Sequence, residues 1–99
     1  MVVNWQGWQD TVCCIESLLA QEYRPMQILI VDSASADDSV DRIRAAFASI
    51  EVLCATANRG FAASANLGIR AALNRGAEFI WLLNNDISAP PDTLAKLVA

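Results

Sequence analysis

Two aspartates in this sequence stand just past apolar runs of strand-forming type. Asp32 closes Ile28-Leu29-Ile30-Val31, and Asp86 follows Phe79-Ile80-Trp81-Leu82-Leu83 by way of Asn84-Asn85. Ligands of open parallel sheets bind outside the carboxyl ends of the strands, so these two positions are expected to converge on one crevice. The stretch Asp32-Ser33-Ala34-Ser35-Ala36-Asp37-Asp38-Ser39 adds hydroxyls and carboxylates around a strand-to-helix turn. Such a turn suits hydrogen bonding to a ribose or a base edge, although an acid after a strand also serves as a turn former or helix cap. Nucleophilic chemistry of the Ser-His or Cys-His kind is excluded from these residues, because the chain has no histidine.

The elements that must position these groups follow from periodicity. Gln27 to Asp32 reads as one strand, Glu51 to Cys54 as a weaker one, and Glu78 to Leu83 as a third. Met1-Val2-Val3 reads as the tail of a further strand. Near-continuous apolar strands of this sort belong to parallel sheets covered on both faces. Between them lie helical stripes: Val12, Ile15, Leu18 and Leu19; Val40, Ile43 and Phe47; and Ala65, Ile69, Ala72 and Leu73. Gly76 stands at a C′ position after the third stripe. Ser35 and Asp38 resemble an N-terminal capping pair for the second. Pro90-Pro91-Asp92-Thr93 opens a fourth helix carrying Leu94, Leu97 and Val98. The strict alternation of strand and helix predicts βαβ units and an α/β layered fold.

Composition narrows the function. The 99 residues allow one domain or part of one, and 55% of them are hydrophobic, which supports a packed core. The formal net charge is −4 with Lys and Arg dispersed, so there is no basic stripe for a nucleic-acid backbone. Cys13, Cys14 and Cys54 form no CxxC, and with no histidine present they suggest neither a disulfide framework nor a zinc site. All three lie in apolar contexts and are expected to be small buried hydrophobes. No apolar stretch approaches the ~20 residues that span a bilayer, and the first residues lack the pattern of a signal peptide. A cytoplasmic location is expected on that ground, with the inner face of the membrane open for a longer protein.

Four segments, in order, resemble the signatures of family 2 glycosyltransferases with the GT-A fold. Val2-Val3-Asn4-Trp5-Gln6-Gly7-Trp8 is similar to that family's opening strand and loop. Val31-Asp32-Ser33-Ala34-Ser35-Ala36-Asp37-Asp38-Ser39 is similar to its "VDNASTDGS" segment. Asn58-Arg59-Gly60-Phe61-Ala62-Ala63-Ser64-Ala65-Asn66-Leu67-Gly68-Ile69 resembles its "N-x-G-F-A-x-x-x-N-x-G-I" segment. Leu82-Leu83-Asn84-Asn85-Asp86 resembles the "LLNxD" form of its DxD motif, as in rhamnosyltransferase-like members. Together they cover essentially the whole chain.

The resemblance implies a three-layer, Rossmann-like nucleotide-binding half with a mostly parallel sheet, residues 1–99 forming the donor-binding part and the acceptor-binding half absent. It also implies roles. Asn4 and Trp5 would line the base pocket, and Asp32 would hydrogen-bond the base or ribose. Asn58, Gly60 and Asn66 would shape the wall beside the nucleotide, with Arg59 near the diphosphate or else a plain loop charge. Asn85 and Asp86 would meet the donor. Asp86, with Asn84 beside it, would hold a Mg²⁺ or Mn²⁺ ion bridging the two phosphates. Hard cations of this kind take few carboxylates and complete their shells with phosphate oxygens and water. Asn84 departs from strict DxD, and an amide oxygen is a poorer ligand than a carboxylate. Trp5 and Trp8 also suit core or edge packing, and Gly60 and Gly68 also suit tight backbone geometry.

The function so implied is donor binding in an enzyme that transfers a sugar, with inversion, from dTDP-rhamnose or a UDP-sugar to a glycan or lipid-linked acceptor. Its acidic general base is expected beyond Ala99, so no catalytic residue is assigned here. Two alternatives stand beside it: a non-catalytic nucleotide-binding fragment, and a nucleotidyltransferase-like domain. The second lacks its basic Gly-rich loop, since Asn4-Trp5-Gln6-Gly7 is not one. A dinucleotide-binding domain lacks its G-x-G-x-x-G. A truncated sheet would also expose apolar surface and strand edges that favour self-association.

Overall fold

The runs and stripes resolve into eight elements in a computed structural model of residues 1–99. In chain order they are β1 (Val2–Asn4), α1 (Trp8–Leu19), β2 (Leu29–Asp32), α2 (Ser39–Ala46), β3 (Glu51–Cys54), α3 (Phe61–Asn74), β4 (Leu83–Asn84) and α4 (Thr93–Val98). The four strands form one sheet in the order β3-β2-β1-β4, and every pairing is parallel. Side-chain alternation sends neighbouring residues to opposite faces. Val2 and Ile30 pack with Cys14, Ile15, Leu18 and Ile43 from α1 and α2. Val3, Leu29 and Val31 pack with Ala65 of α3 on the other side. Three layers result, as the α/β alternation requires.

Strand order reverses direction at β1. The chain moves outward from β1 through β2 to β3, then returns to place β4 on β1's other flank. Such a switch point opens a crevice at the carboxyl ends of the two strands that flank it. The fold therefore puts its natural binding place between the ends of β1 and β4.

The apolar run Glu78 to Leu83 does not form the strand expected of it: only Leu83–Asn84 is extended and paired. Its partner sets the limit. Val2 pairs with Leu83 and Val3 with Asn84, while the Met1 ammonium donates to the Trp81 carbonyl at 2.7 Å. Residues 78–80 lie past the end of β1 and find no ladder. Phe79 is 68% exposed as a result. Leu19, Leu73 and Leu97 likewise sit at the solvent edges of their stripes rather than in the core.

Helix ends show one expectation met and one overturned. Gly76, at φ +81°, closes α3: its N–H bonds the Leu73 carbonyl at 3.0 Å, and the Ala77 N–H bonds Ala72 at 3.1 Å. These two bonds make a Schellman ending, which needs a left-handed residue at that place. Ser35 does not cap α2, because its hydroxyl is drawn to Asp32, and Asp38 at the N-cap makes no side-chain cap bond. Instead Asp37 Oδ1 accepts the Ser39 N–H at 3.0 Å. The cysteines also divide: Cys14 is buried as expected, whereas Cys13 and Cys54 are exposed. Cys13 follows from helical spacing, since it lies off the Thr11, Ile15 and Leu18 face that α1 buries.

Candidate functional site

A cleft of about 400 Å³ lies at the switch point. Val3 and Trp5 line it from β1 and the following loop, Ser33 from the end of β2, and Asn84, Asn85 and Asp86 from the end of β4. Asn58, Gly60 and Phe61 close it from the start of α3. Asp86 is the only ionisable side chain in this lining and it is exposed. Trp5 is 54% exposed, so a large aromatic face stands open at the rim. Gly60, at φ +93° and ψ 170°, takes a backbone conformation essentially restricted to glycine, and its N–H is held by Asn58 Oδ1 at 3.0 Å.

Beneath the cleft runs a chain of polar groups that is buried at Asn4, Asp32 and Thr11. Asn4, the last residue of β1, donates through Nδ2 to Asp32 Oδ1 at 2.9 Å. Asp32 also accepts the Ser35 N–H at 2.8 Å on Oδ2 and the Ser35 hydroxyl at 2.7 Å on Oδ1. Ser35 Oγ in turn accepts the Gln6 N–H at 2.8 Å, tying the loop after β1 to the loop after β2. Ala34 and Gln6 both take left-handed φ, at 57° and 48°, to allow these contacts. A carboxylate 1% exposed would be costly without partners, and three donors satisfy this one.

The same chain reaches β4 through Thr11. Its hydroxyl donates to Asn4 Oδ1 at 2.6 Å and accepts from Asn85 Nδ2 at 3.3 Å. The backbone of β4 is also held from α1, where the Cys14 thiol donates to the Asn84 carbonyl at 3.8 Å. Burial pushes that thiol's pKa up, and the nearby Asp86 carboxylate adds to the effect against the lowering by the Met1 amine. It therefore stays a thiol. On the α3 side, the hydroxyls of Ser33 and Ser64 are hydrogen-bonded to each other in a buried contact.

The sequence-derived candidates thus separate into three groups. Trp5, Asn58, Gly60, Asn84, Asn85 and Asp86 share one cleft. Asn4 and Asp32 are buried below it and bonded to protein groups rather than open to a ligand. Arg59 and Asn66 are exposed and outside the lining. The hydroxyl-rich turn after β2 likewise spends most of its bonds on itself. Ser33 belongs to the hydroxyl-rich stretch expected to meet a ligand, whereas Phe61 and Thr11 were given no role in the sequence. Thr11 had a signal: at i, i+4 and i+7 with Ile15 and Leu18, it puts a hydroxyl on the buried face of α1.

No set of three or more His, Cys, Asp or Glu side chains comes together anywhere as a metal cage. The cleft instead offers one carboxylate with the three amides of Asn58, Asn84 and Asn85, which fits a hard cation that takes most of its oxygens from water and phosphates. A parallel sheet with a switch-point cleft, an open aromatic and a single carboxylate among amides defines an α/β protein with a candidate ligand site at its strand ends. Comparison with known proteins gives the family. The Glycosyl transferase family 2 profile matches residues 2–99, and the chain belongs to that family.

Curated relatives agree. The chain is 32% identical over 98 residues to a glucosyl-dolichyl phosphate glucuronosyltransferase of Haloferax volcanii, covering 96% of this chain and 29% of that protein. It is 33% identical over 99 residues to the succinoglycan biosynthesis protein ExoO of Rhizobium meliloti, covering 99% of this chain and 28% of that one. Among solved structures, the mannosyltransferase PcManGT of Pyrobaculum calidifontis, in complex with GDP-Man and Mn²⁺, superposes with a TM-score of 0.83 at 22% identity, over 98% of this chain and 30% of that one. S. aureus TarS 1-349 in complex with UDP superposes at 0.79 with 19% identity, over 99% of this chain and 30% of that one. These likenesses establish the GT-A fold. The chain spans under a third of the length of each of these proteins.

Proposed function

We propose that residues 1–99 form the donor-binding part of a sugar transferase that uses a nucleoside-diphosphate sugar. The observation that carries this reading is the switch-point cleft, where Trp5, Ser33 and the Asn84-Asn85-Asp86 segment come from three different strands to one place. Trp5 offers a face for a nucleobase. Asp86, with Asn84, would hold Mg²⁺ or Mn²⁺, which supplies charge stabilisation for the departing diphosphate. Similarity to proteins whose structures contain GDP-Man with Mn²⁺, or UDP, supports a nucleotide ligand of this class. Asn4 and Asp32 then act by shaping the base pocket from below rather than by touching the base.

The longer protein would transfer the sugar to a glycan or lipid-linked acceptor with inversion. Its donor is a dTDP- or UDP-linked sugar in this reading, with rhamnose favoured by the Leu-Leu-Asn-Asn-Asp segment. With one carboxylate in the cleft lining, this part binds, and the general base comes from elsewhere. No helix is long and apolar enough to cross a membrane.

Thermal unfolding with UDP, dTDP and GDP, each with and without Mn²⁺, tests the reading. A ligand at a hundredfold its Kd stabilises the folded state by about 2.7 kcal/mol, which raises the Tm of a chain this size by roughly 10 °C or more. The expected result is stabilisation by one of these diphosphates that requires Mn²⁺ and is lost in Asp86→Ala. A cooperative transition that no diphosphate shifts overturns the proposal.

A further inference from the structure

Asn85 enters the cleft with its amide already committed. Its Nδ2 lies 3.3 Å from Thr11 Oγ1 and 3.4 Å from the Gly7 carbonyl, and it packs so closely that a Cβ on Gly7 would meet it at 2.9 Å. Thr11 is itself 0% exposed and belongs to no part of the cleft lining.

The direction of every bond in this chain is fixed by chemistry at its far end. The Asp32 carboxylate only accepts, so Asn4 must turn its Nδ2 to it. That leaves Asn4 Oδ1 as the acceptor facing Thr11, and the single hydroxyl proton of Thr11 goes there at 2.6 Å. Thr11 then has only lone pairs left for Asn85, so Asn85 must present its NH₂ inward. Its Oδ1, which no protein group engages, is the atom left for the cleft beside Asp86. An isolated asparagine could turn either way; this one is oriented by a carboxylate three hydrogen bonds distant.

We infer that Thr11 and Gly7 are positioning residues that hold the Asn85 amide so that the cleft receives an acceptor oxygen rather than an NH₂ donor. The inference rests on the donor-binding reading for its consequence: the Asn85 oxygen would accept from a hydroxyl of the donor sugar or from water on the cation. The geometry itself does not depend on that reading. Asn85 and Asp86 then have separate tasks, one supplying a neutral oriented acceptor and the other the charge.

Two readouts on the 99-residue chain test it separately. The first is exchange of the Asn85 side-chain amide protons with solvent, followed by ¹⁵N NMR. Thr11→Val keeps the volume and removes the hydroxyl, and it is expected to speed that exchange about tenfold, the scale of one lost hydrogen bond. Thr11→Ser restores the hydroxyl and is expected to behave as the unaltered chain. Gly7→Ala displaces the same amide while leaving Thr11 in place, and should also speed exchange, which keeps the test decisive if Thr11→Val does not fold. Unchanged exchange in the folded variants overturns the inference. The second readout is affinity for UDP, dTDP or GDP with Mg²⁺, expected to fall about tenfold in Thr11→Val and Gly7→Ala but not in Thr11→Ser. If the unaltered chain binds none of the three, the donor-binding reading fails while the exchange result still decides the role of Thr11.

Discussion

The two ends of one sheet treat a buried charge in opposite ways. At the carboxyl end, Asp32 receives three hydrogen bonds from Asn4 and Ser35 and anchors a network that reaches from β2 through β1 and α1 to β4. At the amino end, the Met1 ammonium makes one bond, to Trp81, in surroundings lined with Phe79, Ile80, Trp81, Leu94 and Leu97. Burial lowers its pKa from 8.0 to about 6, and the Cys14 thiol nearby offsets little of that. The carboxyl end is organised for polar contact, and the amino end is apolar surface incompletely covered. The difference teaches that apolar content alone does not show how completely each end of the sheet is satisfied, whereas the hydrogen bonds at the strand ends do.

Substitution breaks or sustains that contrast most strongly at Asp32 and Phe79. Asp32→Ala removes a small side chain 1% exposed, yet leaves a buried donor on Asn4 and half-buried donors on Ser35 without an acceptor. We expect a loss of about 2–4 kcal/mol, from unsatisfied groups at ~1–3 kcal/mol each with partial relief by water. Phe79→Ala removes a far larger apolar group that is 68% exposed, and should change stability by no more than about 0.5 kcal/mol. Urea unfolding of both variants makes the measurement. Equal losses would show that the two ends are equally well packed.

The pH dependence of folding sharpens the contrast from the amino end. In the unfolded chain the α-amine keeps its ordinary pKa of 8.0, whereas in the folded chain it falls to about 6. Between those values the unfolded state binds more protons, so stability rises with pH across that window. The penalty for burying the charged amine is complete below pH 6 and gone above pH 8. A shift of about two units corresponds to roughly 2–3 kcal/mol. With no histidine in the chain, few other groups titrate in this range. Urea unfolding at pH 5.5 and 8.5 should show the gain, and acetylating the amine should abolish it.

The same two ends explain what was legible in the sequence. The alternation of four strands with four helices, and the place of Asp86 just past a strand, follow from periodicity, because parallel strands and amphipathic helices declare themselves locally. The Ile28 to Val31 run and the Phe79 to Leu83 run look alike in composition. What separates them is partnership: β2 has a neighbour on each side, while residues 78–80 have none. No local reading of apolar content contains that fact. The site shows the same limit. Cleft residues adjacent in sequence, such as Asn84-Asn85-Asp86, were legible as a group. Asp32 was legible as a strand-end acid but not as a buried one, because its partners Asn4 and Ser35 come from the end of β1 and from the loop after β2. Thr11 could be found only by asking why a hydroxyl sits on the buried stripe of α1.

A subtler contrast separates two glycines, one at each end of the sheet. Gly60 stands at the cleft with φ +93° and ψ 170°, and Gly76 stands beyond α3 at the amino end with φ +81°. A Cβ at either place would meet nothing within 4 Å, so substitution costs only backbone strain. At Gly76 the left-handed cap conformation costs an alanine about 1–2 kcal/mol, and the Schellman bonds can persist. At Gly60 the extended left-handed region is closed to alanine altogether, so the local backbone must move instead. Gly76→Ala should therefore lower stability by about 1 kcal/mol and leave diphosphate binding unchanged. Gly60→Ala should lower stability by a similar amount, because the loop is exposed and can relax, but should also weaken diphosphate binding by displacing Asn58 and Phe61 from the cleft wall. Thermal melts with and without nucleotide distinguish the two: equal ligand responses would mean that the α3 wall does not shape the site.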